Sequence, residues 1–103
     1  MDNKYNELIK YSNPELVKKN IIKYFGKPIP LAISTRWDKK YMLQDPNGRW
    51  VHFGGFNPPM MDFTKHRDPE RRRLYLQRST NIKGDWKSNK YSPNQLSISL
   101  LWD

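Results

Sequence analysis

Cysteine is absent from the 103 residues, which removes disulfide frameworks, thiolate nucleophiles and cysteine-based zinc sites from consideration. No apolar run approaches the ~20 residues needed to cross a bilayer. The opening Met1-Asp2-Asn3-Lys4-Tyr5-Asn6-Glu7 also lacks the apolar stretch of a signal peptide, so a soluble chain made in the cytosol, with no membrane partner, is expected. Nor is there an HExxH pair, a glycine-rich phosphate loop, a GxSxG elbow or a paired-carboxylate signature. RRM, KH, zinc-finger and helix-turn-helix patterns are missing as well. Acidic residues are few, 10 against 19 Lys and Arg, which leaves a formal charge of +9.

What is present suits one small folded unit, residues 1–103. Chains of this length form a single core, and a 14% aromatic share, with four Trp and six Tyr, supplies large rings to fill it. The basic excess makes nucleic acid or another acidic partner plausible. It is spread along the chain, but residues 65–78 hold six basic residues against Asp68 and Glu70, a net +4.

Along the chain, residues 1–12 carry Tyr5, Leu8 and Ile9 at helical spacing without a convincing cap, and read as a short helix or a loosely attached arm. Asn13 as cap, Pro14 in the first turn and Glu15 near the positive dipole end predict a helix over 14–25, stopped by Gly26 and Pro28. After the extended Lys27-Pro28-Ile29-Pro30, residues 31–37 have strand composition. Asp45-Pro46-Asn47-Gly48 is a strong turn signal that predicts a hairpin of 39–44 with 49–54. Asp68-Pro69-Glu70 starts a second helix over 69–80, and Ser92-Pro93 a third over 93–101. The fold class expected is α+β, a small antiparallel sheet packed with helices.

Functional candidates concentrate on Lys65, Arg67, Arg71, Arg72, Arg73 and Arg78. The planar guanidinium fork suits phosphate, and loop cations before a helix can follow a nucleic-acid backbone. Three arginines in the first two turns of 69–80 oppose the helix dipole and call for an anion or carboxylate nearby. The bland alternative is a set of ion pairs with Asp62, Asp68, Glu70 and Asp85, and the two readings stand level. Met60 and Met61 in a Gly- and Pro-rich loop, with Leu100, Leu101 and Trp102 at the C-terminal end, are candidates for a homodimer interface, although closing the core is the simpler role for the methionines and the C-terminal residues dock against the core or against another subunit. A third class, a metal-dependent nuclease, would need His52 and His66 to converge on carboxylates, and no motif spacing asks for that. No catalytic residue, metal ligand or cofactor is expected.

One resemblance bears on this. Val51-His52-Phe53-Gly54, Asp62-Phe63-Thr64-Lys65-His66-Arg67-Asp68-Pro69-Glu70-Arg71-Arg72, Tyr75-Leu76, Arg78, Gly84-Asp85-Trp86, Tyr91-Ser92-Pro93 and Leu100-Leu101-Trp102 follow in an order that resembles small basic proteins of uncharacterised function from nucleocytoplasmic large DNA viruses, the marseilleviruses among them. The likeness covers roughly residues 40–103, and Gly55 to Met61 departs from that family's shorter loop. It implies a non-enzymatic virion component, found in the virion and in the virus factory of the host cytoplasm, and it supplies no catalytic residue.

Overall fold

The computed structural model describes residues 3–103. Its elements are α1 (Asn3–Leu8), α2 (Pro14–Phe25), β1 (Ala32–Ile33), β2 (Lys39–Gln44), β3 (Trp50–Gly55), α3 (Phe63–His66), α4 (Pro69–Ser79), α5 (Pro93–Leu96) and a π-helical turn over Ser97–Leu101. The strands form one antiparallel sheet in the order β1-β2-β3. The arrangement is α+β, as composition and turn signals lead one to expect. No helix among the described residues is long and apolar enough to cross a membrane.

The hairpin owes its tightness to Asp45. Its carboxylate accepts the backbone N–H of Asn47 at 2.9 Å and of Arg49 at 3.0 Å, and Gly48 takes a left-handed conformation that a residue with a Cβ enters only at a cost. Strand β3 starts at Trp50, one residue later than the sequence pattern suggests. Pairing of Tyr41 with Phe53 and of Leu43 with Val51 then puts these four side chains on one face of the sheet. Tyr41, Leu43 and Phe53 are fully buried. The first strand shrinks to Ala32–Ile33, because the backbone of Ser34, Arg36 and Lys39 turns toward α1.

Helix α2 has the caps its sequence announces, with the Asn13 side chain accepting from Leu16 N–H and a left-handed Gly26 closing the end. Val17 and Ile21 of α2 meet Leu96, Leu100 and Leu101 in the core. The amide of Asn20 donates to the carbonyl of Leu100 at 2.9 Å, satisfying a buried acceptor where helical pairing ends.

Three expectations are corrected. Of residues 1–12, Met1 and Asp2 lie outside the described residues, but the rest is no loose arm: Leu8 is fully buried, and the Lys4 ammonium donates to the carbonyls of Ser34, Arg36 and Lys39, each at 2.7 Å. The helix expected over 93–101 is α-helical only to Leu96. It then widens into a π turn closed by Trp102 N–H on Ser97 O at 3.2 Å, which brings Leu100, Leu101 and Trp102 into the core. These three, read as docked on the core or on another subunit, lie in the chain's own core. Met60 and Met61 go the other way and stay exposed rather than closing the core.

Candidate nucleic-acid interface

Helix α4 begins where the sequence says. The Asp68 carboxylate accepts from Glu70 N–H at 3.0 Å and Arg71 N–H at 3.4 Å, Pro69 occupies the first turn, and Thr80 closes the last. Just before it lies α3, a single turn that sequence reading passed over. Asp62 caps it and left-handed Arg67 ends it. Asp62-Phe63-Thr64 is itself an N-cap signal, but no apolar periodicity follows to reveal a helix.

The six basic candidates divide by their partners. Arg73 pairs with Glu70 at 2.5 Å, and that contact holds the Glu70 carboxyl below the usual carboxylate range and raises the guanidinium in turn. Arg72 donates from Nε to the carbonyl of Trp102 at 2.6 Å and so acts as a clamp on the C-terminal turn. Arg67 lies 4.2 Å over the Phe63 ring, an exposed cation–π contact. Arg71 reaches Asp68 only at 3.9 Å, with both side chains exposed, a pair worth no more than ~1 kcal/mol. Among the described residues Lys65 and Arg78 have no carboxylate partner. Asp85, expected as another, forms no ion pair with the cluster.

Arg71, Leu74 and Arg78 share one face of α4, spaced three and four residues apart. With Tyr11, Met60 and Met61 they line a groove of about 500 Å³. This groove brings the exposed cations Arg71 and Arg78 together with the apolar Met60, Met61 and Leu74. Arg72, by contrast, lines a separate groove on the other side of the helix with Asn20, Lys23 and Leu76.

His66 and His52 are otherwise engaged. His66 Nδ1 accepts Asp68 N–H at 2.9 Å, so Nε2 carries the hydrogen and is buried without a partner. The ring packs 5.2 Å from Trp102. Burial first, and the nearby Arg71 second, lower its pKa, against the opposite pull of Asp68 and Asp62. His52 Nδ1 sits 2.6 Å from Ser34 Oγ. No group of three metal-ligating side chains is assembled among the described residues.

The lowered His66 value has a sign that can be tested. Below the ordinary value of 6.5 the unfolded chain gains a proton that the folded chain refuses, so stability should fall as pH drops from 6.5 toward the depressed folded value. Urea unfolding between pH 7 and pH 5 reads this, and His66→Gln should flatten it. An equal slope in the variant would remove His66 as the cause.

The largest feature that sequence reading missed lies behind the groove. Lys40 and Asp62 form an ion pair at 3.0 Å with side chains 3% and 1% exposed. The ammonium also donates to Met60 O at 2.6 Å. Asp62 accepts from Thr64 N–H at 3.0 Å and from the Thr64 hydroxyl. Ser12 Oγ lies 3.3 Å from Thr64 Oγ1, and the Tyr41 hydroxyl donates to Ser12 at 2.7 Å. Burial raises the Tyr41 pKa well above that of a free phenol and lowers that of Lys40 despite its partner. The network fixes the start of α3, and through it the loop that carries Met60 and Met61.

Residues 29–79 match the model of a family of unknown function, DUF5754. The matched stretch runs from the sheet to the end of α4, and so includes Lys40, Asp62 and all six basic candidates. It leaves out α2, α5 and the π turn that complete the core. No curated protein and no solved structure matches the chain.

Proposed function

We propose that this chain is a non-enzymatic protein that binds nucleic acid through backbone phosphates along the α4 groove. The observation that carries the reading is the pair of exposed arginines, Arg71 and Arg78, one weakly paired and the other unpaired, which line one groove from the same face of α4 in a chain of charge +9. Lys65 and Arg67 precede α4 and add two cations. Arg73 is neutralised by Glu70 and Arg72 is occupied by Trp102 O, so the contact set is narrower than the basic cluster as a whole. On the resemblance to components of large DNA viruses, the setting would be the virion or the virus factory.

Affinity for a labelled DNA duplex measured against salt tests this. Four phosphate contacts give a log–log slope near −3.6, by about −0.9 per contact, and Arg71→Ala with Arg78→Ala should lower its magnitude by ~1.8. Failure to bind at low salt would reject the proposal, as would a slope indifferent to both substitutions. The second reading is a homodimer formed through exposed Met60, Met61 and Leu74. Light scattering on the DNA-free protein separates the two, because a dimer that Met60→Ser and Met61→Ser dissociate would assign the groove to a second copy.

A further inference from the structure

Beside the α4 groove is a second, more enclosed cavity of about 190 Å³. Lys40, Met60, Met61, Tyr75, Arg78 and Trp102 are among its lining residues, and Met60, Met61, Arg78 and Trp102 also line the groove. The two spaces therefore meet at one wall, with the unpaired Arg78 guanidinium at the junction. An apolar cavity of ~150 Å³ is known to hold a benzene ring, so this one is large enough for a single flat ring system and too small for a drug-sized ligand.

Its lining is chemically mixed. The apolar part comes from thioethers and from Tyr75, which stacks on Trp102 at 4.1 Å and 7°. The polar side chains are those of Ser97, Lys40 and Arg78. Two of the three ammonium hydrogens of Lys40 go to Asp62 and Met60 O, and the third has no hydrogen-bond partner among the described residues. A flat ring with acceptor atoms on its edge, joined to an anion able to reach Arg78, matches all of these features.

We infer that the cavity takes one unstacked nucleobase, with the attached phosphate on Arg78, and that the occupant is a nucleotide unit, either free or within a single strand. The inference rests on the nucleic-acid reading above and adds to it a preference for unpaired bases. A duplex keeps its bases stacked inside and can use only the groove, whereas a single strand can use both spaces. The exposed methionines suit such a mouth, because an unbranched thioether can repack around different bases.

The deciding comparison uses a fluorescent single-stranded 12-mer, an abasic 12-mer with the same phosphates, and adenosine monophosphate. The base-bearing strand should bind about 5- to 150-fold more tightly than the abasic one, the range that base stacking on aromatic side chains spans. Ser97→Leu, at a residue that lines the cavity and not the groove, should erase that ratio and leave binding of the abasic strand unchanged. Its urea midpoint, measured alongside, shows whether the variant keeps the fold; if it does not, Ser97→Val serves as the second variant. Saturable binding of adenosine monophosphate, lost in the same variant, would make the free nucleotide the occupant. Equal affinity for the two strands with no nucleotide binding overturns this inference and leaves backbone binding intact. If no strand binds at low salt, the backbone reading falls, and the cavity proposal falls too unless the free nucleotide binds.

Discussion

Lys40→Met is expected to destabilise the protein by about 3–5 kcal/mol, the usual cost of removing one partner from a buried ion pair. Most of that cost comes from the carboxylate left behind without a counter-charge, and less from the missing attraction itself. Asp62 is almost fully buried and would keep its two bonds from Thr64 while losing the Lys40 cation. Met60 O would also lose its donor, so the loop above the cavity should loosen. Against a total stability of about 5–15 kcal/mol, a change of this size approaches global unfolding. Adding Asp62→Asn to Lys40→Met should recover at least half of the loss, because Asn removes the orphan charge and can still cap α3. Urea unfolding of the four proteins in the cycle measures this. A loss under about 1 kcal/mol for Lys40→Met would show that the pair is not buried as described.

The pair also shapes the alkaline limit. Between the depressed folded value of Lys40 and the ordinary 10.5 the unfolded chain holds a proton that the folded chain has given up, so this group adds stability as pH rises through that window. Tyr41 acts in the opposite sense. Its phenol stays protonated in the fold but ionises near 10 in the unfolded chain, so its contribution is lost above that pH.

Trp102→Ala is expected to cost about 3–5 kcal/mol, as large-to-small changes at buried rings do. Trp102 is 9% exposed, stacks on Tyr75, packs against His66 and gives its carbonyl to Arg72. Losing the ring would open the space between α4 and the π turn, while the backbone carbonyl that Arg72 holds would remain. This outcome differs from that of an interface residue, whose removal changes mass before it changes stability. Urea midpoint and light-scattering mass, measured on the same variant, tell the two apart. An unchanged midpoint with a reduced mass would restore Trp102 to a subunit interface.

Much of the local structure was legible because it depends on neighbours in the chain. Asn13-Pro14, Asp68-Pro69 and Ser92-Pro93 each cap a helix through a side-chain oxygen two or three residues from its target N–H. Asp45-Pro46-Asn47-Gly48 closes a hairpin by the same short reach. The shape of the candidate site was not legible in this way. Lys40 sits between Lys39 and Tyr41 in a strand where alternation with Tyr41 and Leu43 assigns it to the other, solvated face. Only Asp62, twenty-two residues away, makes its burial tolerable. Similarly, the run Leu100-Leu101-Trp102 reads as docked either on the core or on another subunit, and it is the π turn that packs it into the core.

By itself the sequence determined the α+β class, the start of each main helix, the hairpin turn and the concentration of cations around α4. Each of these follows from spacing within a few residues or from simple charge. Only the tertiary structure decided which cations are free. Glu70 takes Arg73, Trp102 O takes Arg72, and Asp62 takes a lysine from the sheet, leaving Arg71 and Arg78 to face a groove. The physical reason is reach: a guanidinium or an ammonium finds its partner across several ångströms of space, and the fold alone determines which acceptors lie within that distance.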